Sequence, residues 1–346
     1  MKYLIVQDWP NTHNNHAGMV HMCNLLKQTF PNEYTVLVQK SPRYLNFRQR
    51  TLNVKFRQFY EKYIFPWLVI RLCKKTFPLI KEGDEFFLLE YLFPETSQLS
   101  LAKLLRKKFP FLKIYGMSHL TPTYGENKYP SYRQMVHEWL LPINKYLTLG
   151  SSLTDYFVSL GVSPNCVSTG FHYVDGTFYT RTNKVDNERL KIIVIGAMAR
   201  NFELLEKIVK ASPMVDWIIC KGNKHVTCFD GCNNVQLHGF LEEEELRRQM
   251  AMVDVSLSVM DDTIGSNVIT TSMSMGLAQI VSDVGSVRDY CSEQNTIFCE
   301  NNLESFVDAV KILADDRNLV KRMGDSASVC SKKFDIKNVH QWFSNL

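Results

Sequence analysis

No apolar run in this chain of 346 residues is long enough to cross a bilayer. The most apolar stretch, Tyr63 to Leu72, is ten residues long and is broken by Pro66 and Arg71. A span needs roughly 20 such residues. Internal repeats of short period and low-complexity segments are lacking too, which excludes solenoids and biased tails. The nine cysteines are scattered and odd in number, so a disulfide framework is excluded and reduced thiols are expected. Cys220, His225, Cys228 and Cys232 lack the tight pairing of a zinc site, and no metal is expected. Met1-Lys2-Tyr3 runs straight into a strand-like segment, so no signal peptide is expected. The expectation is a cytoplasmic protein, soluble or resting on a membrane surface.

What is present is an ordinary globular mixture, 45% apolar and 22% charged, which excludes a disordered or fibrous chain. A length of 346 residues suits two domains better than one. The net charge of +5 is unevenly spread. Residues 1–165 hold 21 basic and 11 acidic side chains, a balance of +10, and the remainder carries 19 and 24, a balance of −5. The first half therefore faces something anionic.

Strands and helices alternate along the chain. Short apolar runs predict strands at Lys2–Gln7, Tyr34–Val38, Phe86–Glu90, Leu112–Met117 and Lys145–Leu149. Helical spacing predicts helices at Gln98–Phe109 and Ser131–Leu141. After the polar stretch Thr180 to Arg189 the pattern restarts. Strands are expected at Lys191–Ile195, Trp217–Cys220, Val235–Leu237, Val255–Val259 and Ala278–Ser282. Helices are expected at Glu203–Ala211, Glu242–Met252, Asn267–Met275 and Leu303–Ala314. Such alternation predicts an α/β fold of two doubly wound, Rossmann-like domains with parallel strands. The expected divisions are 1–180, 181–327 and a C-terminal helix, 328–346, packing back toward the first domain.

Doubly wound sheets bind ligands at the carboxyl ends of their strands. The loop after the first strand, Asp8 to Gly18, ends on a glycine at a helix start, where backbone N–H groups can approach a phosphate or sugar. Gly18 is equally compatible with simple helix packing. Asp262 to Tyr290 is a stronger signal, because Gly265-Ser266-Asn267 opens a helix whose N-terminus suits a diphosphate.

That segment, with Ser151-Ser152, Gly161-Val162, Gly170 to Asp175, Phe178, Ile195-Gly196 and His238-Gly239-Phe240, resembles the GT-B glycosyltransferases. The tail from Leu313 to Gly324 joins them, and the closest resemblance is to the retaining family 4. It extends over nearly the whole chain. The resemblance implies GT-B architecture, two Rossmann-like domains facing across a cleft, with acceptor bound by the first and nucleotide-sugar donor by the second. It implies donor contacts around Gly18, Gly265, Ser266, Asn267 and Val268. Aligned on Gly276, the family's paired carboxylates fall at Thr263 and Thr271, eight apart, where Thr makes at most one uncharged bond. Asp261 or Asp262 is available to substitute near Thr263.

The resemblance further implies a cation against the diphosphate, where Arg200 is the first candidate and Lys221 the second. Phe240 matches the region around the nucleobase, though it equally suits a core position, and Arg200 equally suits a solvated helix start. His119 matches the histidine near the reacting sugar, with a plain loop histidine as the alternative. His13 and His16 lie where acceptor contacts are expected, with His21 beside them. No cofactor or metal is implied, since the nucleotide sugar is a substrate.

Within 41–80, nine basic residues and one acidic residue interleave with aromatics. Phe56, Phe59, Tyr60 and Tyr63 recur at helical steps. This composition suits an anionic membrane surface, or else an ordinary solvated face. No nucleic-acid motif is present. The function expected is transfer of a sugar to a glycan or lipid-linked acceptor, with retention, in cell-surface polysaccharide or glycolipid synthesis. The alternatives are a non-catalytic sugar-nucleotide or glycan-binding protein of the same shape, or a nucleotide-sugar epimerase.

Overall fold

The computed structural model describes residues 1–9, 15–41, 50–181, 187–196, 199–223, 225, 228, 229 and 231–346, without the side chains of 50 and 51. The chain forms two compact units. One comprises Met1–Leu149, Leu153–Gly170 and Leu346; the other comprises Gly150–Ser152 and Phe171–Asn345.

In chain order the first unit holds β1 (Lys2–Asp8), α1 (Met19–Thr29), β2 (Tyr34–Lys40), α2 (Arg50–Phe59) and α3 (Phe65–Lys74). It continues with β3 (Glu85–Leu88), α4 (Gln98–Lys108), β4 (Lys113–Met117), α5 (Pro122–Lys128) and α6 (Tyr132–Leu140). It ends with β5 (Lys145–Thr148), α7 (Ser151–Ser159), whose first two residues count with the second unit, and β6 (Val167–Thr169). The sheet order is β2-β1-β3-β4-β5-β6, parallel throughout. Residues Tyr3 to Gln7 of β1 are all buried, as a parallel sheet covered on both faces requires.

From Arg50 to Lys74 the basic aromatic segment is helical, as the steps between Phe56, Phe59, Tyr60 and Tyr63 predict. A single π-helical turn, Tyr60–Ile64, joins α2 to α3. Phe65, Val69 and Cys73, at steps of four, are buried and dock α3. Phe59, Tyr63 and Trp67 remain exposed, among the exposed Lys55, Lys62, Lys74 and Lys75. The part of this segment at 42–49 lies outside the described residues.

The second unit holds β7 (Lys191–Ile195), α8 (Phe202–Ala211), β8 (Asp216–Cys220), β9 (Val235–His238), α9 (Glu243–Ala251) and β10 (Val255–Ser258). Then come α10 (Asn267–Ser274), β11 (Ala278–Ser282), α11 (Val287–Tyr290), β12 (Thr296–Cys299), α12 (Leu303–Asp315), α13 (Arg317–Cys330) and α14 (Ile336–Ser344). Its parallel sheet runs β12-β11-β10-β7-β8-β9. Ile192, Val194, Leu257 and Ile280 from the strands bury against Leu205, Ile208, Phe306 and Val310 of the helices. The expected pair of doubly wound, Rossmann-like α/β units is the fold observed.

Two organisational expectations are corrected. Residues 171–180 were expected in the first domain but pack in the second unit. Val174 N–H donates to the Phe334 carbonyl at 2.9 Å, Phe171 meets Phe334 and Trp342, and Ser274 Oγ donates to the Tyr179 carbonyl. The C-terminal region is not one helix over 328–346. Instead α13 ends at Cys330, a 3-10 turn spans Ser331–Phe334, and Asp335 caps α14 by accepting from Lys337 N–H. The short edge strands β6 and β12 were not expected, because three or four residues carry little periodic signal.

Candidate functional site

In a doubly wound sheet the strand order reverses at one point, and ligands sit at the carboxyl ends there. In the second unit that point lies between β7 and β10. Beyond β7 the chain turns at Gly196, whose φ of 92° is in the left-handed region. Ala199, with φ 51°, is a non-glycine residue in the same region. It is held there because Asp261 N–H donates to its carbonyl and Asn201 N–H donates to the Val259 carbonyl. Arg200 between them forms an antiparallel bridge with Met260, just beyond β10. Met260 is pinned in turn, its N–H donating to Ser282 Oγ at 2.8 Å and its carbonyl accepting from Asn301.

The guanidinium of Arg200 therefore stands at the reversal point. Its Nε donates to the Ile195 carbonyl at 3.4 Å, and it has no carboxylate partner among the described residues. Burial lowers its pKa to about 10, so it is still charged at neutral pH. A half-buried cation with no counter-ion attracts a phosphate strongly.

The N-terminus of α10 faces the same place, since a Cβ built on Gly196 would lie 3.9 Å from Arg200 and 4.0 Å from Val268. Ser266 caps this helix, its Oγ accepting from Val268 N–H at 3.2 Å. Gly265, with φ 103°, has no room for a side chain, because a Cβ there would overlap the Tyr290 ring. Tyr290 is positioned in turn, its hydroxyl oxygen accepting from His172 N–H at 2.8 Å. The first N–H groups of α10 and the positive end of its dipole thus join Arg200.

Residues 186–316 match the family profile described as Glycosyl transferases group 1. No curated protein matches the chain in sequence. Solved structures share its fold. HepE from Anabaena, bound to UDP, has a TM-score of 0.71 at 12% identity, over 100% of this chain and 99% of that one. Sucrose-phosphate synthase from Thermosynechococcus elongatus gives 0.74 at 9%, with 100% and 99% covered. The apo lipopolysaccharide outer core galactosyltransferase WaaB gives 0.66 at 15%, with both chains fully covered. The shared fold is GT-B, with two Rossmann-like units in one chain.

Within the second unit, Arg200, Gly265, Ser266, Asn267 and Val268 come together at the reversal point. Lys221 lies one strand further on, after β8, and Phe240 follows β9 with half its surface exposed. The two threonines turn away from a ligand role. Thr263 Oγ1 donates to the Gly265 carbonyl at 3.0 Å and accepts from its N–H at 3.1 Å. Thr271 Oγ1 donates back to the Asn267 and Val268 carbonyls of its own helix. Both are 5% exposed.

His119 and His16 belong to the first unit, as does Gly18, the N-cap of α1, whose φ of −82° needs no glycine. His119 follows β4, and its Nε2–H donates to the Leu89 carbonyl. Burial lowers its pKa to about 4, so the ring is neutral at pH 7 and Nδ1 is an acceptor. His16 packs against His21 with ring centroids 4.3 Å apart. His13 lies outside the described residues.

Sequence reasoning missed Glu90, which closes the expected strand Phe86–Glu90. Strand β3 stops at Leu88, and Glu90 turns inward with 3% exposure. It accepts from Gln7 N–H at 2.9 Å and from Gln98 Nε2 at 3.5 Å. Burial raises its pKa to about 8, against the lowering effect of these bonds. An acid in an apolar run was the available signal.

Proposed function

We propose that this protein is a glycosyltransferase that takes a sugar from a nucleoside diphosphate donor held by the second unit. The observation that carries the reading is the Arg200 guanidinium, with no carboxylate partner among the described residues, beside the N-terminus of α10 at the strand-order reversal. A diphosphate there gains a charge-assisted bond and the helix N–H groups, and both strengthen as the glycosidic bond breaks and negative charge gathers on the leaving group. The match over 186–316 and the UDP-bound fold of HepE support the same reading. Arg200 supplies the positive charge that a divalent ion would otherwise bring, so no metal is required. Neutral His119 is suited to accept a hydrogen bond from a sugar hydroxyl.

Finer parts of the reading follow from the sequence resemblance: transfer with retention, a glycan or lipid-linked acceptor, and a role in cell-surface polysaccharide or glycolipid synthesis. The exposed lysines and aromatics of α2 and α3 suit the headgroup zone of an anionic membrane.

One observation favours a second reading, a sugar-nucleotide-binding protein without turnover. Both Thr263 and Thr271 have hydroxyls engaged with their own backbone. A panel of UDP-, GDP- and other nucleotide sugars, assayed for thermal shift and for slow hydrolysis with EDTA present, separates the two. Hydrolysis in EDTA is expected. Binding without hydrolysis or transfer to any acceptor would leave the second reading, and no binding would remove both.

A further inference from the structure

The loop that carries Arg200 is braced from the far side of the sheet. Strand β10 pairs with β7 at Val255–Ile192 and Ser256–Ile193, near their amino ends. Beyond their carboxyl ends the two segments meet again, running antiparallel at Arg200 and Met260. Two backbone bonds flank that meeting. Asn201 N–H donates to the Val259 carbonyl at 3.1 Å, and Asp261 N–H donates to the Ala199 carbonyl at 3.2 Å. The second bond helps to keep Ala199 at its φ of 51°, a conformation that persists only where its surroundings impose it.

Both backbone groups of Met260 are met by side chains, and these close a ring. Met260 N–H donates to Ser282 Oγ at 2.8 Å, and Ser282 Oγ donates to Asn301 Oδ1 at 2.6 Å. Asn301 Nδ2 donates back to the Met260 carbonyl at 2.8 Å. A peptide N–H can only donate, so Ser282 Oγ accepts from it and spends its single hydrogen on Asn301. The Met260 carbonyl can only accept, so the amide nitrogen of Asn301 is the end that faces it. Bonds placed head to tail in this way polarise one another. The ring ties the ends of three strands together, since Ser282 closes β11 and Asn301 lies two residues beyond β12. Met260 and Ser282 are fully buried, whereas Asn301 is exposed.

Arg200 is the residue on which this ring acts. Its Nε bond to the Ile195 carbonyl is long, at 3.4 Å, so the guanidinium is aimed chiefly by its own backbone. That backbone is held by Met260. The sheet itself does not depend on Asn301, because β11 and β12 are paired from Gln279–Thr296 to Ser282–Cys299. Removing the Asn301 side chain therefore frees the Met260 carbonyl without unpairing a strand.

We propose that Ser282 and Asn301 are positioning residues for the donor diphosphate: they fix Met260, and Met260 fixes Arg200 where the phosphates arrive. This inference rests on the donor reading of Arg200.

The test is a double-mutant cycle on the full chain, read by calorimetry with UDP and with GDP. For the nucleotide that binds more tightly, Arg200→Ala should lower affinity by about tenfold or more. Asn301→Ala should lower it about fivefold in the wild type, and by less than about twofold once Arg200 is already Ala. Ser282→Ala should behave alike, and combining it with Asn301→Ala should cost little more, because either change opens the ring. A merely structural role gives the same loss with and without Arg200. If Asn301→Ala does not fold, Ser282→Ala with Arg200→Ala completes the same cycle. Unchanged affinity in the ring variants, or a loss that persists in full without Arg200, would overturn the positioning role and leave Arg200 in the donor site. Full affinity in Arg200→Ala, or no binding of either nucleotide by the wild type, would sink the donor reading and the positioning role with it.

Discussion

The two units are built on the same plan and hold opposite chemistry at the same place. The first sheet runs β2-β1-β3-β4-β5-β6 and reverses between β1 and β3, while the second reverses between β7 and β10. Around the second reversal stand two glycines, backbone N–H groups and one guanidinium. Around the first stand Trp9, Phe93 and Gln7, with the buried Glu90 and neutral His119 nearby. One set is cationic and rich in N–H donors, and the other is aromatic and uncharged at neutral pH. A shared fold fixes where a ligand sits, and the side chains after the strands fix what it is.

The largest expected effect tests the charge difference between the units. If the first unit meets an anionic membrane, each basic side chain near the surface adds about 1 kcal/mol. Arg57 is tied to Glu61 at 2.9 Å, so Lys62, Lys74 and Lys75 are the charges to reverse. The triple change to Glu should cut binding to anionic vesicles by more than a hundredfold. It should leave the fold intact, because α3 docks through Phe65, Val69 and Cys73 instead. Wild-type binding should weaken as salt rises. Equal sedimentation with neutral and anionic vesicles would mark the segment as a solvated face.

A smaller effect is expected at the second reversal point. Arg200→Ala should weaken UDP binding by about 1.5–3 kcal/mol, the value of a hydrogen bond to a charged group. Thr271→Val is the control, since that hydroxyl already serves Asn267 and Val268, and UDP affinity should stay within about twofold. Calorimetry giving the reverse ranking would move the diphosphate away from Arg200.

Much of this contrast is legible in the sequence. Lys191–Ile195 and Ala278–Ser282 match their strands residue for residue, because five-residue apolar runs between polar turns leave little choice. Gly265-Ser266-Asn267 likewise announces a helix start by its cap chemistry alone. The direction of the Thr271 hydroxyl was not legible, because a threonine in a helix bonds backward or outward by local packing. Nor was the role of Glu90. Its burial depends on Gln7 and Gln98, which are 83 and 8 residues away, and periodicity carries no record of such contacts. The strand ends and loop geometry that assemble a site are long-range facts.

Glu90 yields the smallest expected effect and bears on the first unit alone. Its pKa is raised to about 8 in the fold, against an ordinary value of 4.5. Between those values the folded chain holds a proton that the unfolded chain has released, so this group makes stability fall as pH rises. The contribution is complete below about pH 4.5 and is lost as pH passes 8. His119 acts in the other direction and in another window. Its pKa is lowered to about 4 from 6.5, so it makes stability rise between those values. Glu90→Gln keeps the acceptor for Gln7 N–H while removing the titration. The melting temperature of wild type minus that of Glu90→Gln should therefore decline steadily from pH 5 to pH 8, with His119 cancelling in the difference. A difference that stays flat across that range would mean Glu90 is ionised in the fold, and the first reversal point would then hold a buried charge rather than a neutral acid.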